Sequence, residues 1–146
     1  MSRPGTPDGI NVLIVDDSDL VAQSLERILR GESDLDVVGV AHSEEEALAV
    51  VRAHEVHVVV MDYRLGESDG ITAAEHIREL RPDARTLILT GDIADSYMLG
   101  RARAAGCAAV LAKTSGIHNS LASTIRDAHN GTLHLQDPSE GVSTSP

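Results

Sequence analysis

Apolar residues gather in five short runs, "INVLIV" (10–15), "LDVVGVA" (35–41), "VHVVVM" (56–61), "TLILT" (86–90) and "AAVLA" (108–112), separated by longer stretches of mixed polarity. Their length and β-branched content predict strands. Most lack strict alternation, which argues for burial on both faces and hence for a parallel sheet. Between the runs the period changes. Leu20, Val21, Leu25, Ile28 and Leu29 fall on one stripe of a 3.6-residue helix that ends near Gly31. "SEEE" (43–46) opens a second helix: Ser43 as N-cap and Glu46 three residues on form a capping box, and Glu44 and Glu45 add favourable charge at the N-terminus. A third helix starts beyond Gly70 and stops before Pro82, since proline excludes the preceding residue from a helix. A fourth, about 93–105, contains Gly100, which weakens it by roughly 1 kcal/mol relative to alanine. The fifth carries Ile117, Leu121 and Ile125 and closes at Gly131. Five β-α units in succession predict a doubly wound α/β domain with right-handed crossovers.

One domain, residues 9–131, accounts for the periodic part of the chain. Residues 1–8 read as a flexible N-terminal arm. Residues 132–146, rich in Pro, Ser, Thr and Gly, read as a linker or tail. With no Phe or Trp and two Tyr, the core has to be built from Val, Leu, Ile and Ala. The single cysteine, Cys107, cannot form an internal bridge, and its Ala-rich surroundings suggest a small buried hydrophobe. No apolar stretch approaches membrane-spanning length, so a cytoplasmic protein without membrane contact is expected. A formal charge of −11 repels nucleic-acid phosphates and excludes DNA binding by this chain itself. The seven histidines show no metal-ligand spacing.

In open α/β sheets ligands bind at the carboxyl ends of the strands. Those ends carry Asp16 and Asp17, then Asp62, Thr90 and Lys113, the only lysine of the chain. Each alone has an ordinary explanation: Asp17, Ser18 or Asp19 as a helix cap, Asp62 as a turn residue, Lys113 as a solvated side chain. Jointly they place three carboxylates, a hydroxyl and an ammonium at one sheet edge. Carboxylates held together raise one another's pKa unless a cation intervenes. Hard oxygen ligands of this kind suit Mg²⁺, beside which a hydroxyl and an ammonium would neutralise the oxygens of a transferred phosphoryl group. A lysine, as a compact point charge, can serve either a carboxylate or a phosphate.

The motifs "VLIVDDSD", "VVVMDYRLGESDG", "LILTGD" and "AGCAAVLAKTSG", in this order, resemble the receiver domain of bacterial two-component response regulators over about residues 10–131. The resemblance implies a flavodoxin-like (βα)5 fold with strand order 2-1-3-4-5. It implies Asp62 as the phospho-acceptor from a sensor histidine kinase, and Mg²⁺ held by Asp17, Asp62 and the backbone carbonyl of Arg64, with Asp16 acting through water. Thr90 and Lys113 would contact the phosphoryl oxygens. Thr114 after the lysine resembles the NarL-like subfamily, whose members carry a C-terminal LuxR-type helix-turn-helix. That implies control of transcription through a DNA-binding domain absent from this chain, and a homodimer through the helix 4/helix 5 face on phosphorylation, with Met98, Leu99, Arg101 and Arg103 as candidate contacts, of which Met98 and Leu99 are also candidates for the core.

Several positions depart from the family pattern. Val110 stands where a switch aromatic is usual, so a Thr–Tyr rotamer switch cannot operate in its usual form. Leu65 and Gly66 replace the common Met-Pro, which should loosen the loop after Asp62. Gly91 leaves more room beside the site. Arg64 and Asp92, each two residues beyond a site residue, are expected to pair across the pocket and slow loss of the phosphoryl group. Three other readings stand beside the transcription regulator: a stand-alone receiver, a degenerate receiver acting as an interaction module, and a Mg²⁺-dependent phosphohydrolase. Arg64 counts against the last, because such enzymes need an aspartate at that position.

Overall fold

The computed structural model describes residues 9–91, 94–114, 116–132 and 135. Asp92, the N-terminal arm 1–8 and nearly all of the expected linker lie outside the described residues.

Five strands form one sheet: β1 (Ile10–Val15), β2 (Leu35–Ala41), β3 (Val58–Asp62), β6 (Arg85–Thr90) and β7 (Ala109–Ala112). Every pairing is parallel and the order is β2-β1-β3-β6-β7. This is the expected 2-1-3-4-5 order once a small antiparallel hairpin, β4 (Arg64–Leu65) and β5 (Ser68–Asp69), is set aside. The helices between are α1 (Asp19–Arg30), α2 (Glu44–Ala53), α3 (Gly70–Leu80), α4 (Ser96–Ala104) and α5 (Ile117–His129).

Strand alternation feeds two separate cores. Leu13, Val15, Val59, Met61 and Ile88 point to the face covered by Val51 of α2, Ile77 of α3 and Ala102 of α4. Val12, Ile14, Val58, Val60, Leu87 and Leu89 point to the other, covered by Leu25 and Leu29 of α1 and by Leu121 and Ile125 of α5. With both faces covered, β3 is buried along its whole length, which is why its sequence is a continuous apolar run. Each fully buried Leu or Ile contributes roughly 1.5–3 kcal/mol against exposure.

Local signals mostly place the helices. Ser18 caps α1, its hydroxyl accepting from the Val21 amide at 3.3 Å. Ser43 caps α2 in the same way at 3.1 Å, but the Glu46 carboxylate accepts from the His42 amide, one residue before the cap. The stripe expected on α1 needs a correction. Leu20 is 76% exposed, while Ala22, Leu25 and Leu29 face the core. At 100° per residue, Leu20 lies about 200° from Ala22 on the helix. The fourth helix starts later than the apolar pattern suggests, at Ser96, because Asp95 caps it through the Met98 amide at 2.9 Å.

Gly70 is required by contact. A Cβ there would lie 2.2 Å from the Asp62 carbonyl oxygen and 2.6 Å from the Met61 side chain. The Gly70 amide donates to the Tyr63 carbonyl at 2.6 Å, so the chain after Asp62 closes tightly on itself.

Candidate phosphoryl and metal site

The carboxyl ends of β1, β3, β6 and β7 bring the five anticipated residues, Asp16, Asp17, Asp62, Thr90 and Lys113, to one edge of the sheet. Asp16 is 1% exposed, Asp62 6% and Thr90 1%, while Asp17 faces solvent. Lys113 is carried there by the last strand, its amide donating to the Thr90 carbonyl at 2.8 Å. Its Nζ donates to Asp62 Oδ1 at 2.8 Å and to Asp16 Oδ2 at 3.1 Å. One ammonium thus bridges two buried carboxylates.

Burial is the largest influence on Asp62 and pushes its carboxyl pKa up; the Lys113 hydrogen bond opposes this, and the charge of Asp16 adds to the rise. The net direction is upward. Burial alone would lower the Lys113 pKa, but its bonds to Asp62 and Asp16 outweigh that and raise it. Lys113 is therefore a cation here, one positive charge set against two buried aspartates.

Asp16, Asp17 and Asp62 offer one carboxylate oxygen each, all within 4.8 Å of one another. Among the described residues this is the group of acidic, His or Cys side chains close enough to hold a metal ion. Oxygen-only ligands, with one carboxylate open to water, fit a hard divalent cation that keeps part of its hydration shell.

The loop after Asp62 has local order of its own. It folds as the β4–β5 hairpin, with Arg64 paired to Asp69 and Leu65 to Ser68. Gly66 takes a left-handed φ of +59° at the turn, and its amide donates to Asp17 Oδ2 at 3.1 Å. Asp17 is thereby tied to the loop that follows the buried aspartate. The Arg64 amide lies 3.4 Å from Asp62 Oδ1, and its guanidinium sits 5.9 Å from the Tyr63 ring centroid. Its expected partner Asp92 lies outside the described residues. Gly91 is exposed, and a Cβ there would meet nothing within 4 Å, so the room beside the site is present.

On helix α4 the structure decides between the two readings of Met98 and Leu99: each is 6% exposed and belongs to the core, because the turn after the Asp95 cap points them at the sheet. Arg101 and Arg103 are engaged within the chain, with Asp69 and with the Leu135 carbonyl. Tyr97, 74% exposed, is the apolar side chain this helix presents outward. Val110 is half-buried against the core that contains Met98 and Leu99.

Two contacts escaped sequence reasoning. His42, just past β2, bonds through Nε2 to Asp19 Oδ1 at 3.1 Å beside the acidic loop. Arg101, expected only as a candidate dimer contact, reaches Asp69, whose place in the "VVVMDYRLGESDG" motif gives no sign of that partner.

The family model of the response regulator receiver domain matches residues 12–125. The chain is 35% identical over 128 residues to the DNA-binding transcriptional activator DevR/DosR of Mycobacterium tuberculosis, covering 88% of this chain and 58% of that protein. The chain thus spans less than two thirds of that relative's length. A LuxR-family two-component response regulator from Aurantimonas sp. SI85-9A1 superposes with a TM-score of 0.81 at 28% identity, over 92% of this chain and 94% of that one. A response regulator from Burkholderia pseudomallei, described with a phosphorylated aspartic acid, a calcium ion and citrate, superposes with a TM-score of 0.70 at 28% identity, over 94% and 75%.

Proposed function

This chain belongs to the response regulator receiver domain family, and from that premise we propose that Asp62 accepts a phosphoryl group from the phosphohistidine of a sensor kinase. The observation that carries this reading is Lys113 bridging Asp62 and Asp16. Asp62 is buried and held from one side by Lys113, so an oxygen of its carboxylate is positioned to attack phosphorus. In that step the new P–O bond forms as the P–N bond of phosphohistidine breaks, and the electron pair returns to the imidazole. Lys113 then has a phosphoryl oxygen as an alternative partner, and Thr90, at the end of the neighbouring strand, is the hydroxyl assigned to another.

Asp16, Asp17 and Asp62 fit a resident Mg²⁺, with the Arg64 carbonyl as a further oxygen ligand. When bound, the ion would supply positive charge against the transferring oxygens. The calcium ion and phosphorylated aspartate of the Burkholderia relative support the same assignment. Arg64, Gly91 and Asp92 are assigned modulating roles around this centre, and Val110 the switch position.

The output we assign is transcriptional: phosphorylation adds about one negative charge at neutral pH and alters the α4/α5 side of the domain, which would act through a DNA-binding domain and a homodimer. The name of the M. tuberculosis relative supports this, as do the 28%-identical LuxR-family neighbour and the Thr114 signature. With Met98 and Leu99 in the core, Tyr97 becomes the contact to test in a dimer. Among the described residues no helix is long and apolar enough to cross a membrane.

Incubation with acetyl phosphate and Mg²⁺, read by intact mass, tests the reading. One phosphoryl adduct on the wild type, lost in Asp62→Asn and reduced in Lys113→Arg, is the expected result. Absence of an adduct from both acetyl phosphate and a phosphorylated kinase would overturn it.

A further inference from the structure

At the opposite edge of the sheet, where β6 and β7 begin, lies a cavity of about 270 Å³ lined by Arg78, Ala84, Arg103, Cys107 and Leu135, among others. Leu135 lies six residues past the end of α5, yet it is 9% exposed and joins the core cluster that holds Ala84, Ala105 and Cys107. Its carbonyl accepts a hydrogen bond from Arg103 Nη2 at 3.1 Å. The chain leaving α5 is thus fixed at one point by a buried side chain and a held carbonyl. Nothing in phosphoryl transfer at Asp62 calls for either contact.

We propose that this crevice is an intramolecular docking surface for the segment that follows α5, and that α4, which carries the Arg103 clasp, couples release of that segment to its own movement. The occupant is the chain at Leu135, whose side chain and carbonyl the crevice holds. The polar part of the lining agrees with the assignment: Arg78, Arg85 and Arg103 edge the cavity, and Arg103 holds the Leu135 carbonyl. The other end of the coupling is Arg101, two residues before the clasp, whose Nη2 holds Asp69 in the loop after Asp62. One helix is therefore attached by one arginine to the loop beside the acidic cluster and by another to the outgoing chain. If both attachments bias the position of that helix, the two sites are coupled reciprocally. The docking surface stands on its own geometry; its coupling to phosphorylation rests on the reading of Asp62 given above.

Cys107 is a built-in reporter. It is the only cysteine, 2% exposed, and burial pushes its thiol up to about 12, so it reacts only when the crevice opens. The experiment is the rate of Cys107 modification by an aromatic disulfide reagent in the full chain at constant pH. Leu135→Ser and Arg103→Gln should each react roughly tenfold faster or more than wild type, with unchanged far-ultraviolet dichroism. Arg103→Gln leaves the apolar packing intact and so answers for any folding defect in Leu135→Ser. Unchanged rates in both variants would overturn the docking surface. A second arm adds acetyl phosphate and Mg²⁺ to the wild type and follows mass and labelling together. An adduct with faster labelling supports the coupling, and an adduct with an unchanged rate overturns it while leaving the phospho-acceptor reading intact. No adduct from any donor overturns that reading and the coupling with it, while the first arm still decides the docking surface.

Discussion

Arg101 Nη2 lies 3.2 Å from each carboxylate oxygen of Asp69 and 3.5 Å from Thr72 Oγ1, joining α4 to the N-cap of α3. Asp69 also caps α3 through the Thr72 amide at 2.9 Å. The same carboxylate therefore starts a helix and anchors its neighbour, and it closes the hairpin that follows Asp62. The Asp69 and Arg101 side chains are 30% and 28% exposed, so the pair is partly shielded from screening.

Asparagine at position 69 keeps a capping oxygen and removes the charge. Burial tends to raise the Asp69 pKa, but the Thr72 amide and Arg101 outweigh it and hold it below the usual aspartate value. A depressed carboxylate contributes stability above its unfolded pKa and loses it as the pH falls through the folded one. Asp69→Asn should thus cost about 1 kcal/mol at pH 7. The deficit should vanish as the pH is taken below the ordinary aspartate range, read by urea unfolding at several pH values. A deficit independent of pH would mean that the cap, and not the charge, supplies the stability.

The buried acidic cluster opposes folding when no metal is present. The raised pKa of Asp62 has the opposite sign: ionised Asp62 destabilises the fold above the ordinary aspartate range, and the penalty eases as the pH falls and the carboxyl protonates. Asp62→Asn should therefore raise the metal-free melting temperature by roughly 3 °C, equivalent to about 1 kcal/mol for a domain of this size. Mg²⁺ at a hundred times its Kd should stabilise the wild type by about 2.7 kcal/mol and the variant by much less. A variant less stable than wild type without metal would show that the Lys113 bridge outweighs the repulsion.

Gly70→Ala tests the tight closure behind Asp62. The added methyl would meet the Asp62 carbonyl and the Met61 side chain at distances no relaxed structure holds, so backbone must move. Overpacking of this kind costs about 1–3 kcal/mol. Because the displaced backbone is that of Asp62, Mg²⁺ affinity, followed by isothermal titration, should fall together with stability. Loss of stability at unchanged affinity would separate the turn from the site.

His76 on α3 pairs with Glu44 on α2, and that hydrogen bond, with the Glu44 charge, raises its pKa. A raised histidine stabilises fully below its unfolded pKa, and the gain is lost as the pH rises through the folded one. The stability difference between wild type and His76→Gln should be complete near about pH 5.5 and fade above the ordinary histidine range. The His76 side chain is 46% exposed, so a small difference is expected. Chemical denaturation across that interval measures it.

The strands were legible in the sequence because a doubly covered parallel sheet needs continuous apolar runs, and "INVLIV" and "LDVVGVA" match β1 and β2 residue for residue. Asp16, Asp17, Asp62, Thr90 and Lys113 were legible because strand ends converge by topology alone. Leu20 was misread because it shares a first turn with core residues yet faces water. The hairpin at 64–69 was missed because its signal is two residues, Gly66 and Glu67, between strands of two residues each. Arg101 with Asp69, and Arg103 with Leu135, each join residues 32 apart in sequence, so the two arginines read only as candidate dimer contacts until the fold brings them to these partners.

The central claim is that Asp62 takes the phosphoryl group. After incubation with acetyl phosphate and Mg²⁺, borohydride reduction converts an aspartyl phosphate to homoserine, and peptide mass spectrometry locates it. The account predicts homoserine at position 62 alone, with its yield lowered in Lys113→Arg. Homoserine at 16 or 17, or a phosphoryl adduct that persists in Asp62→Asn, would contradict it.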